Sequence, residues 1–143
     1  VTGDFLLSVC LNGGEIAKAF HRYGIGVRNG ATGDFTFFGV LSNSAGAPQL
    51  GVTNYSSPNS FVSDTQLLDT YLSGDIYLRI ELNNGNLFYS LSTDGDTYFL
   101  VCQTPSNEFL ADIDNVFYAI SAENQVAPNI DNQVTIKSWD LVD

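Results

Sequence analysis

Strict alternation is the feature that most limits what this chain can become. In Ile76-Tyr77-Leu78-Arg79-Ile80-Glu81-Leu82, apolar residues take every second position, and Tyr77, Arg79 and Glu81 fall between them. Successive side chains of an extended strand point to opposite faces, so such a segment buries one face and wets the other. Segments of the same character fall at 4–11, 23–29, 34–43, 49–57, 86–92, 97–103, 115–123 and 133–142. Turn residues separate them: Asn29-Gly30, Thr32-Gly33-Asp34, Asn83-Asn84-Gly85-Asn86 and Asp94-Gly95-Asp96. Only 14–20 (GEIAKAF) has a helical pattern, and 126–132 is predicted as a polar, proline-containing loop. Nine short strands joined by hairpin chemistry predict an all-β fold, an antiparallel sandwich of two sheets.

The chain has 143 residues and no internal repeat or linker, which predicts one domain over 1–143 with a core of its own. Sixteen acidic residues against five basic ones give a net charge of −11. No basic patch exists to displace counterions from phosphate, so nucleic acid is not an expected partner. The same charge argues against an anionic membrane surface. Asn, Ser, Thr and Gly must carry the surface, which fits a soluble protein in a salty or extracellular setting. Methionine is absent, even at position 1, so the chain is expected to be processed or cut from a longer protein. Cys10 and Cys102 are far apart in sequence; pairing and two free thiols are both open.

Three passages resemble the concanavalin A-like lectin/glucanase superfamily, in its laminin G-like branch. The first is Tyr23-Gly24-Ile25-Gly26-Val27-Arg28-Asn29 with Thr32-Gly33 and Phe35-Thr36-Phe37-Phe38-Gly39-Val40. The second runs from Leu78-Arg79-Ile80 through Phe88-Tyr89-Ser90 to Ser92-Thr93-Asp94-Gly95, with Tyr98 where a tryptophan is common. The third is Val116-Phe117-Tyr118-Ala119-Ile120 with the closing Val134 to Leu141. The resemblance implies a jelly-roll sandwich. It also implies a role among sugar-binding modules, accessory domains of secreted hydrolases, or phage tail and capsid-surface domains. The Asn/Gly/Ser-rich, lysine-poor style is most similar to the phage examples.

No catalytic residue is assigned. Glucanases of that superfamily carry E-x-D-x-E on one strand, because glycoside cleavage needs two facing carboxyl groups. Here Asp112-Ile113-Asp114 puts two carboxylates on one face if the segment is extended, but Glu108 stands four residues before Asp112 and no such triplet is present. His21 is expected at the surface, and no serine-nucleophile elbow, zinc motif or phosphate loop is present. The stretch SLSTDGDTYF (90–99) reads as a turn between strands, because Asp-Gly favours hairpins and an EF-type calcium loop would need more oxygen ligands. If calcium binds, Asp94, Asp96, Asp112 and Asp114 are its candidate ligands. Trp139 is expected in the core.

For sugar, Asn54, Tyr55 and Phe61 lie in a predicted amide- and hydroxyl-rich loop, where rings stack and amides hydrogen-bond. Arg28, Tyr77 and Arg79 are candidates on sheet faces, where the arginines form cross-strand salt bridges or grip an acidic sugar. The expected function is a non-catalytic, surface-exposed binding or adhesion domain that recognises host-surface carbohydrate, displayed on a phage virion. One alternative is a decoration or assembly domain of a capsid, tail or filament that binds only protein neighbours, a homo-oligomer included. The second is a divergent glycan hydrolase.

Overall fold

The computed structural model describes residues 1, 3–13, 21–43, 47–69, 72, 74–121 and 134–143. Ten strands are found among them: β1 (Phe5–Gly13), β2 (Arg22–Arg28), β3 (Phe35–Ser42), β4 (Pro48–Ser57), β5 (Ser60–Leu68), β6 (Gly74–Asn83), β7 (Asn86–Ser92), β8 (Phe99–Pro105), β9 (Asn115–Ser121) and β10 (Val134–Val142). They form two antiparallel five-stranded sheets, in the orders β10-β1-β6-β7-β8 and β5-β4-β3-β2-β9. The fold is the predicted all-β sandwich. β2 to β5 run as a meander in the second sheet, and β6 to β8 as a meander in the first. β9 then returns beside β2, and β10 beside β1.

The alternation read from the sequence is realised as burial. Ile76, Leu78 and Ile80 of β6 face inward with Leu7, Val9 and Leu11 of β1, and all six are almost fully buried. Across the interior they meet Tyr23, Ile25 and Val27 of β2, Phe38 and Val40 of β3, and Leu50 and Val52 of β4. The rings of Phe38 and Tyr89 touch between the sheets, with centroids 5.4 Å apart. Burial pushes the Tyr89 hydroxyl well above the usual tyrosine pKa, and Thr104 and Thr36 supply its hydrogen bonds. A buried hydroxyl left without such partners would cost free energy, which is why two threonines face this tyrosine.

One strand departs from expectation. β5 lies in what the sequence presents as loop. Its residues Ser60-Phe61-Val62-Ser63-Asp64-Thr65 break the alternation, and its pairing with β4 carries three register shifts. Over 60–65 this edge strand is exposed on both faces and needs no apolar period, so the usual signal is missing there. Asn54 and Tyr55 therefore sit on β4 and Phe61 on β5, joined by the turn at Pro58 and Asn59. His21 is buried at 4% exposure rather than at the surface, its backbone N–H donating to the Ser42 hydroxyl. Trp139 keeps 39% of its surface exposed, because β10 is the edge of its sheet. The helical pattern at 14–20, the loop at 126–132 and the strand ends at 122–123 and 133 lie outside the described residues.

Cys10 and Cys102 are free. β6 and β7 lie between their strands, a span of roughly 14 Å at ~4.8 Å per strand, beyond disulfide reach. Cys102 is on the core face with Tyr89, whereas Cys10 is on the opposite face with Tyr77.

Truncating Phe38 to alanine removes the ring that joins the two sheets. The expected cost is about 3–5 kcal/mol, read as a lower urea midpoint at an unchanged denaturant slope.

Candidate functional site

The outer face of the second sheet is built around missing side chains. The register aligns Ala119 of β9, Gly24 of β2, Gly39 of β3 and Gly51 of β4 in one row across four strands. A Cβ on Gly24 would stand 2.3 Å from the Phe38 carbonyl oxygen and 2.7 Å from the Gly39 Cα. β2 and β3 thus approach too closely for any larger residue. The next row, Phe117–Gly26–Phe37–Thr53, uses the space. The Phe37 ring lies over Gly24 and Gly39, and the Phe117 ring lies on Gly26.

Beyond it the register sets Asn115, Arg28, Phe35, Tyr55 and Phe61 side by side. Phe35 and Tyr55 stack nearly parallel, with centroids 4.7 Å apart and planes 11° apart. Phe117 meets Phe35 edge-on, and Phe61 meets Tyr55 edge-on. From the far end of β2, Arg22 reaches along the face and donates from Nη1 to the Tyr55 hydroxyl, its guanidinium carbon 5.5 Å from that ring's centre. The result is a trough of about 440 Å³ lined by the rings of Phe35, Phe37, Tyr55 and Phe117, with Arg22, Arg28 and Asn115 also in its lining. Partial burial raises the Tyr55 pKa above its ordinary value, and the Arg22 charge offsets part of that rise.

The structure brings together three of the residues singled out for sugar: Tyr55, Phe61 and Arg28. Asn54 is on the opposite face of β4, where its Oδ1 accepts from the Thr36 hydroxyl. Tyr77 and Arg79 stand on the outer face of the other sheet and hold the β7–β8 connection. Arg79 donates to the Ser8 hydroxyl, and its guanidinium lies 3.5 Å from the centre of the Tyr98 ring. The Tyr77 ring lies against Gly95, which has φ +84° and no room for a Cβ. Neither arginine makes a cross-strand salt bridge among the described residues; the ion pair found there joins Lys137 to Asp75.

The connection SLSTDGDTYF is longer than a two-residue hairpin and is tied from within. Asp94 Oδ1 accepts from the Ser92 hydroxyl and from the backbone N–H of Asp96 and Thr97. The N–H groups of Thr97 and Asp96 lead the effects that hold its carboxyl below the usual range. Asp112 has φ +57°, so 112–114 is not extended and its two carboxylates do not share a strand face. Asp114 Oδ1 accepts from Gly30 N–H at 2.7 Å and from the Asn115 amide. The Asp94–Asp96 and Asp112–Asp114 pairs sit at opposite ends of β1: Ser92 is opposite Tyr77 and so near Cys10, whereas Val1 bonds the Asp114 carbonyl. Among the described residues no three His, Cys, Asp or Glu side chains converge as metal ligands.

Phe35, Phe37, Phe117 and Arg22 belong to the trough but are not among the candidates from sequence. The available signal was Gly24-Ile25-Gly26, since glycine inside a strand marks close approach of another group.

No protein-family model and no curated protein matches the chain in sequence. Solved structures do match in fold. A functionally unknown protein from Saccharomyces cerevisiae aligns at TM-score 0.73 and 19% identity, over 99% of this chain and 70% of that one. A GH43 protein from Bacillus licheniformis aligns at 0.59 and 13%, over 82% of this chain but 24% of its own. The CBM2 module of the evolved Dit of Lactobacillus casei BL23 phage J-1 aligns at 0.57 and 14%, over 97% of this chain and 58% of that one.

Two outcomes test the site's construction. In a pH titration read by tyrosinate absorbance, the Tyr55→Phe difference spectrum will show Tyr55 ionising above the ordinary value of about 10. Gly39→Ala places a Cβ 2.3 Å from the Tyr23 carbonyl oxygen, and denaturation will show a loss of about 3 kcal/mol or more.

Proposed function

We propose that the chain is a non-catalytic carbohydrate-binding sandwich of the concanavalin A-like, laminin G-like type, acting outside the cell or on a virion surface. The observation that carries this reading is the trough with the parallel Phe35–Tyr55 pair in its wall. Sugar rings present C–H groups to apolar aromatic surface and hydroxyls to polar neighbours, and here Asn115 and the arginines stand beside the rings of Phe35, Tyr55 and Phe117. The likeness to a CBM2 module is a likeness of fold and adds the prior that this architecture hosts such sites.

A non-catalytic role is supported by the lining. Among the described residues it contains no carboxylate, whereas glycoside hydrolysis of the usual kind needs two about 5–10 Å apart. Binding at one such site is expected to be weak, with avidity from several copies supplying adhesion.

Assembly with protein neighbours is a second reading. It draws on the flank between edge strands β9 and β10, where Tyr118 and Trp139 meet edge-on with Tyr118 58% exposed.

The test is a glycan array with the domain displayed as a multimer, repeated with chelator. Reproducible binding to one sugar class is expected, reduced about tenfold or more by Tyr55→Ala and insensitive to chelator. A blank array from folded multimer would instead favour the protein-neighbour role.

A further inference from the structure

The composition of the trough narrows its ligand, granted that it takes carbohydrate. The chain has five basic residues and sixteen acidic ones. Two of the five, Arg22 and Arg28, line this one trough, and no carboxylate does so among the described lining residues. The charged groups in the lining are therefore opposite in sign to the net charge of the molecule.

The acidic neighbours are turned to other work. Asp64 accepts from the Thr53 hydroxyl, and Asp114 from Gly30 N–H and Asn115. Arg22 is committed to the Tyr55 hydroxyl and ring. Arg28 differs. It is exposed at the end of β2, level with Phe35 and Tyr55 in the register, and has no ion pair among the described residues.

We infer that the trough selects saccharides that carry a carboxylate, of the uronic acid kind, with the sugar ring against the aromatic wall and the carboxylate on Arg28. A guanidinium presents two parallel N–H donors that match the two oxygens of a carboxylate in one plane. A single such arginine suits one charge per bound ring. A densely sulfated chain would want a field of cations, and a molecule with a net charge of −11 repels polyanions at long range.

The test measures the multimeric domain against oligogalacturonate, its carboxyl-reduced neutral counterpart, and a sulfated oligosaccharide of equal length. Oligogalacturonate is expected to bind about tenfold tighter than the neutral form, with the advantage shrinking as salt rises. Arg28→Gln should erase that advantage, so that the variant binds the acidic and neutral forms alike. Arg28→Lys should restore part of it, and Arg79→Gln on the other face should change nothing. Equal binding of acidic and neutral forms, or a preference that survives Arg28→Gln, overturns this inference and leaves carbohydrate binding standing. Tighter binding of the sulfated probe overturns the carboxylate assignment. If folded multimer binds no saccharide at all, the binding reading falls, and this inference with it.

Discussion

The close contact of β2 with β3 sets the terms for the rest of the second sheet. Gly24 and Gly39 face each other where a Cβ from either would meet the neighbouring backbone. The space left above them is filled by aromatic rings lying along the sheet, and Phe37 is buried to 3% exposure on a face that would otherwise be wet. This is why β2 and β3 are buried on both sides although they belong to a two-layer fold. The same rings then support the next row, where Phe35 and Tyr55 stack. A backbone contact is thereby converted into a patterned surface.

The two outer faces have opposite fates. On the first sheet, the row that alternation places outward is folded over by its own chain. Tyr77 receives Gly95, Arg79 receives Tyr98, and Asp94 ties the connection from inside. These groups spend their hydrogen-bonding and stacking capacity on structure. On the second sheet the arginines face a trough, and Arg28 makes no ion pair among the described residues. Binding capacity survives where side-chain groups are not consumed by neighbours, and that separates faces which look alike in composition.

The alternating segments were legible because burial on one face imposes a period of two. Ile76, Leu78 and Ile80 are the clearest case, and the structure buries all three. β5 was illegible for the same reason: an exposed edge strand has no buried face to write a period. The site was partly legible. Tyr55, Phe61 and Arg28 were singled out and converge, but Asn54 is one residue from Tyr55 and so points through the sheet to Thr36. Tyr77 and Arg79 looked equivalent to Arg28 in sequence and belong to a different layer.

The sequence by itself determined the class of fold, the inward set of side chains and the positions of most turns, because these follow from local period and from glycine's backbone freedom. It also determined the charge, and with it the scarcity of cations. Only the tertiary structure decided which strands became neighbours. Register across β9, β2, β3, β4 and β5 brings Asn115, Arg28, Phe35, Tyr55 and Phe61 into one row from five separate segments. No local rule encodes that row, since it depends on strand pairings between residues as much as 87 positions apart, as for Arg28 and Asn115 (115 − 28 = 87).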